Sequence, residues 1–131
     1  MKKLLVLLLL MVSTNIFAEW TRVTESADGD MTAYIDFGTI KRKGNKVKMW
    51  HLQDYKAVFK QKWRISYLSG ASYYEYDCEE ETIKMLDLYL YSGNMGHGES
   101  VGSRTKIKDE AKSVIPGSIT ETLFKAACSK K

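Results

Sequence analysis

The chain has 131 residues, one proline, and 20 Lys and Arg against 16 Asp and Glu. No low-complexity stretch or internal repeat occurs, which excludes a repeat array and leaves room for one domain. The formal charge of +4 falls to +2 once Lys2 and Lys3 are set aside, an excess too small by itself to argue for a polyanion partner.

Residues 1–18 read as a secretory signal peptide. Lys2 and Lys3 form a basic start, residues 4–12 are continuously apolar, and Ser13, Thr14 and Asn15 break the run before a small residue, Ala18. The apolar run falls short of the ~20 residues a spanning helix needs, and no second such run follows, so no transmembrane span is expected. No Cys stands near the expected cleavage point to carry a lipid anchor. With export, no nucleic-acid ligand is expected. The domain is therefore expected over residues 19–131.

In chain order, residues 20–25 and 31–36 read as short strands separated by the turn Asp28-Gly29-Asp30. Residues 37–40 turn the chain, and Gly44-Asn45 marks a tight turn through residues that tolerate positive φ. Residues 46–55 alternate, with Trp50, Leu52 and Asp54 on one face and Val47, Met49, His51 and Tyr55 on the other. Apolar groups on both faces predict a central strand covered on each side. Residues 56–62 read as a charged connection. Residues 63–78 form a long aromatic strand with a bend or bulge expected at Ser69-Gly70-Ala71, placing Tyr74, Tyr76 and Cys78 on one face. It pairs as an antiparallel hairpin with residues 82–91, in which Leu86, Leu88 and Leu90 are expected opposite Ile83, Met85, Tyr89 and Tyr91. A glycine-rich loop (92–98), a short strand (99–103) and a charged loop (104–113) follow. After Pro116-Gly117, Ser118 and Glu121 have capping-box spacing, and Ile119, Leu123, Phe124, Ala127 and Cys128 share one face of a C-terminal helix.

Cys78 and Cys128 are the only cysteines. In an oxidising compartment two such residues in a small domain form a disulfide. The rival reading, free thiols or metal ligands, lacks a third Cys nearby or suitably spaced His. The bridge would staple the helix beside Tyr74 and Tyr76. The fold expected is α+β: an antiparallel sheet of about six strands with one C-terminal helix packed on one face.

The pattern is similar to the surface-adhesin protein E family of exported proteins in Gram-negative bacteria. The likeness rests on the order of Glu19-Trp20, Asp28-Gly29, Tyr34, Asp36, Ile40 and Gly44-Asn45, then Val47, Trp50, Asp54 and Tyr55. It continues through Tyr67-Leu68-Ser69, Tyr76-Asp77-Cys78, Tyr91-Ser92-Gly93 and Gly98-Glu99, and ends with Ile115-Pro116-Gly117-Ser118, Glu121, Leu123 and Cys128. The resemblance implies a six-stranded antiparallel sheet flanked by a C-terminal helix. It also implies attachment to host matrix or serum proteins such as laminin or vitronectin. The protein would then lie in the periplasm or on the outer surface of a Gram-negative bacterium, either as an adhesin or as a periplasmic accessory domain binding an envelope component.

Catalysis has little support in the residues. No acid–base pair with a local signature is present, and the acidic run 77–81 lacks the spacing of a calcium loop. No cofactor or metal is expected. His51 reads as a structural histidine on a central strand, and His97 as part of a glycine-rich hairpin connection able to present a functional group. Asp36, Asp54 and Asp77 sit at strand ends where carboxylates cap turns. The sharpest binding candidate is Lys41, Arg42, Lys43, Lys46 and Lys48, with Lys56, Lys60, Lys62 and Arg64 further on, near Trp50 and Trp63. Joined at adjacent strand ends, these would form a cationic edge for anionic glycans such as sulfated glycans, for lipopolysaccharide phosphates or for acidic proteins. Lysines on an exposed strand also protect a sheet edge from association. A homodimer through an edge or open face is compatible with this layout.

Overall fold

Period-two alternation dominates residues 21–113, and it builds a sheet. The computed structural model describes residues 19–60 and 65–129. The expected signal segment 1–18, and Lys62, Trp63 and Arg64, lie outside them. The described strands are β1 (Thr21–Glu25), β2 (Met31–Ile35), β3 (Lys41–Lys43), β4 (Lys46–Lys60), β5 (Ser66–Asp77), β6 (Thr82–Tyr91), β7 (Ser100–Arg104) and β8 (Lys112–Ser113), followed by helix α1 (Ile119–Ser129). Six strands run in the order β1-β2-β4-β5-β6-β7, with β3 against β4 and β8 against β6. All pairs are antiparallel. The architecture is the α+β one expected.

Register sorts the side chains onto two faces, because directly paired residues point the same way. Val47 opposite Tyr76, Met49 opposite Tyr74 and His51 opposite Ser72 form one face. Trp50 opposite Tyr73, Leu52 opposite Ala71 and Asp54 opposite Ser69 form the other. Helix α1 covers the first. Its apolar residues Leu123, Phe124 and Ala127 pack with Ile35, Val47, Met49 and Tyr76 into one buried cluster. Each large side chain so buried contributes about 1.5–3 kcal/mol. The helix starts where its capping chemistry places it: Ser118 Oγ accepts from Glu121 N at 3.1 Å, and the Glu121 carboxylate accepts from Gly117 N at 3.4 Å. Cys78 and Cys128 are bridged across 50 residues. By chain entropy, closing a loop of that length is worth about 4 kcal/mol.

Several local expectations change. Residues 56–60 continue β4, although its pairing with β5 shifts register between Asp54 and Phe59; that break in the ladder disguises the strand. Ser69-Gly70-Ala71 holds no bulge, since β4 and β5 pair without interruption from Lys46–Asp77 to Asp54–Ser69. Gly70 instead lies close under its cross-strand neighbour: a Cβ there would stand 3.2 Å from Leu90 Cδ2, so the leucine would have to shift by a few tenths of an ångström. The irregularity in the hairpin falls between Tyr73 and Tyr74, opposite Asp87 and Met85. It adds one residue to β6, so Leu88 and Leu90 join Ile83 and Met85 on the helix face rather than opposing them. Within 104–113, Lys112–Ser113 pairs with β6.

His51 is fully buried, stacked on Tyr74 with ring centroids 4.2 Å apart. Among the described residues neither ring nitrogen has a hydrogen-bond partner. Burial pushes its pKa from 6.5 down to about 3. The unfolded chain therefore takes up a proton near pH 6.5 that the folded chain refuses, and stability falls as pH drops from there towards the folded value. Between about pH 6 and about pH 4 the wild type should lose roughly 1.4 kcal/mol per pH unit more than His51→Phe, read from urea midpoints. Equal slopes would remove His51 as the titrating group.

Candidate functional site

The face opposite the helix carries most of the chemistry. At one end, Gly44, with φ +61°, makes the tight turn between β3 and β4. The pairs Lys41–Lys48 and Lys43–Lys46 then share this face. Lys41, Arg42, Lys43, Lys46 and Lys48 line a single basin of about 410 Å³ together with Glu75. The Glu75 carboxylate lies 3.6 Å from Lys46 Nζ and 3.9 Å from Lys48 Nζ. All three β3 residues are exposed. Lys41, Lys43, Lys46 and Lys48 are thus brought together on this face; Arg42 lines the same basin but pairs with Val47, whose side chain is on the helix side.

Lys56 is not among them. Lys48 and Lys56 lie on one strand, roughly 25 Å apart at strand rise. Lys56 sits beside the Asp28–Asp30 turn, its N–H bonded to Asp30 O at 2.9 Å. A continuous β4 separates Lys56 from the lysine cluster that adjacent strand ends were expected to bring beside it; Lys62 and Arg64 lie outside the described residues.

Beyond the lysines the same face turns aromatic. Trp50 stacks on Tyr73 at 5.0 Å and meets Tyr89 at 6.0 Å. Its backbone is pinned on both sides: Trp50 N–H donates to Thr39 Oγ1 at 3.1 Å, and Asp36 N–H donates to Trp50 O at 3.2 Å. Trp20, Asp36, Thr39, Trp50, Ala71, Tyr89 and Tyr91 enclose a cleft of about 270 Å³. It adjoins a second space of about 560 Å³ that shares Trp20, Ala71 and Tyr91 and reaches His97. Burial first, then the charges of Asp87 and Glu75, raise the Tyr73 pKa, so its hydroxyl remains a neutral donor at physiological pH. The cleft was not legible in the sequence, because its rings come from the segment before β1 and from β4 and β6.

The far end of this face is closed by residues 92–98. Asp54 Oδ1 accepts from Met95 N at 2.8 Å and from Asn94 Nδ2 at 3.1 Å. Ser69 Oγ donates to Gly93 O at 2.6 Å and accepts from Gly96 N at 2.9 Å. The loop so held covers Leu52, which is fully buried, and leaves His97 exposed. Asp36 accepts from Gly38 N, and Asp77 from Glu79 N and Glu80 N. All three aspartates are turn and loop acceptors. Among the described residues, no three His, Cys, Asp or Glu gather to hold a metal ion.

Asp54→Ala should free the loop while leaving the ladder intact. The expected loss is about 1–3 kcal/mol for the Met95 amide left unpaired. Hydrogen exchange should show lost protection at the Met95 amide, with β5 and β6 unchanged. Retained protection at Met95 would mean the loop is held elsewhere.

Comparison places this architecture among solved structures. Protein E from non-typeable Haemophilus influenzae superposes with a TM-score of 0.62 at 15% identity, covering 88% of this chain and 79% of that one. A second crystal form of Haemophilus influenzae protein E gives 0.66 at 15% identity, with 88% and 91% covered. A further structure of that protein gives 0.63 at 16%, with 88% of each chain covered. Identities this low establish the shared fold alone. No curated protein matches the chain by sequence. The family model for surface-adhesin protein E matches residues 20–129, nearly the whole described domain. The chain belongs to the surface-adhesin protein E family.

Proposed function

We propose that this protein is an exported, adhesin-type binding module that attaches to host matrix or serum proteins, gripping acidic groups through Lys41, Arg42, Lys43, Lys46 and Lys48. One observation carries the reading: a tight turn and an exposed edge strand bring Lys41, Arg42, Lys43, Lys46 and Lys48 to the lining of one basin, with Glu75 beside Lys46 and Lys48. Lys46 has 59% and Lys48 45% of its side chain exposed, so the charges can meet a partner without first being unburied. The same lysines guard the open edge of β3 against strand addition, and the two roles are compatible. Family membership supports a binding protein over an enzyme. Among the described residues no helix is long and apolar enough to cross a membrane. The sequence start supports export, with cleavage near Ala18.

Two measurements test this. Replacing Lys41, Arg42, Lys43 and Lys46 together with Gln should abolish salt-sensitive retention on immobilised heparin, used as a generic polyanion. Unchanged retention would place the binding elsewhere. Protease shaving of intact cells should remove the protein while a periplasmic marker survives. Protection until the outer membrane is opened would replace surface attachment with a periplasmic accessory role.

A further inference from the structure

The aromatic cleft does not take part in the lysine reading, yet it shares the lysines' face and begins one step along β4. Register sets the layout as successive rows. Lys48 stands opposite Glu75, which stands opposite Lys84; the next row is Trp50, Tyr73 and Asp87; the next is Leu52, Ala71 and Tyr89. Rows on one face repeat every two residues, about 7 Å. A ligand lying along β4 thus meets cations first and flat rings next.

Those rings are presented rather than consumed by the core. Trp20, Trp50, Tyr89 and Tyr91 are all partly exposed, around a floor provided by Ala71. Small Ala71 between large rings is what gives the cleft its depth. Rigid aromatic planes offer wide contact area at little entropic cost. They match the apolar C–H face of a pyranose ring, and the hydroxyls of partly exposed Tyr89 and Tyr91 suit its hydroxyl groups.

The charges narrow the choice further. Glu75 lies within 4 Å of both Lys46 and Lys48, and Asp87 stands beside Tyr73 in the next row. A dense polyanion laid along this face would meet both carboxylates. A glycan whose acidic rings are spaced by neutral ones would not: its acid sits among the lysines while a neutral ring stacks in the cleft. We infer that the lysine basin and the aromatic cleft form one bipartite site for an acidic oligosaccharide, with an acidic residue held by Lys41, Lys43, Lys46 and Lys48 and an adjacent neutral pyranose ring held by Trp20, Trp50 and Tyr91. This rests on the lysine reading and adds the class of ligand.

The test uses the whole mature protein and three probes. They are a hyaluronan hexasaccharide, in which uronate and neutral rings alternate, neutral chitohexaose, and inorganic polyphosphate. Binding is followed by tryptophan fluorescence and by calorimetry. Trp20 precedes β1 and pairs with no strand, so Trp20→Ala leaves the sheet intact; Tyr91→Leu is the second variant and keeps bulk while removing the ring. The hexasaccharide should quench wild-type fluorescence, and each variant should weaken it about tenfold while polyphosphate binding stays as in wild type. If the hexasaccharide is unaffected by both variants yet lost with the lysines, the cleft is no subsite and the lysine reading stands alone. If neither the hexasaccharide nor polyphosphate binds, the lysine reading fails and this inference with it. If chitohexaose binds as well as the hexasaccharide and is indifferent to the lysines, the acidic class is wrong.

Discussion

The bond between Cys78 and Cys128, with the packing it secures, sets the asymmetry on which the rest of the molecule depends. Cys78 continues from β5 directly after the face that carries Tyr74 and Tyr76, and Cys128 lies on the apolar side of α1. Joining them holds Leu123, Phe124 and Ala127 over Val47, Met49 and Tyr76. One face of the sheet is thereby sealed. Among the described residues α1 is the single α-helix, and nothing of comparable size covers the other face, which is left to a short loop at one end and to open side chains over the remainder.

That division explains why polar groups behave so differently on the two sides. Under the helix, His51 is forced neutral and Tyr76 is fully buried. On the open side, Asp54 and Ser69 are spent anchoring residues 92–98, and the glycines there are geometric requirements. A Cβ at Gly93 would stand 2.9 Å from His97 O, a backbone atom that cannot give way cheaply. The loop covers Leu52 and stops short of Trp50. Between its edge and the β3–β4 turn lies the stretch where aromatic rings and lysines remain accessible, which is the stretch proposed to meet a partner.

Much of this was readable from the residues, and the failures have identifiable causes. Alternation over residues 46–55 marked a strand buried on both faces, and Leu52 on one side with Val47 and Met49 on the other bear that out. Ser118 and Glu121 marked the helix start because capping is local chemistry. The three-residue β3 escaped notice since Lys41, Arg42 and Lys43 carry no apolar alternation; only the turn at Gly44-Asn45 brings them into pairing. Gly70 was taken for a bulge when its bareness serves a cross-strand contact with Leu90. The true irregularity, beside Leu86, has no glycine to betray it. The lysine cluster was legible because its members are neighbours in sequence. The aromatic cleft was not, because Trp20, Trp50 and Tyr89 meet only after three separate segments have found their register.

The central claim is that the face opposite α1 is the binding face. Amide chemical-shift mapping on the isotopically labelled mature protein, titrated with a hyaluronan hexasaccharide, tests it most directly. Shifts concentrated at Lys41, Lys48, Trp50 and Tyr89, with α1 silent, are the predicted result. Shifts concentrated on α1 and on Ile83 and Met85, with the lysine turn silent, would contradict it.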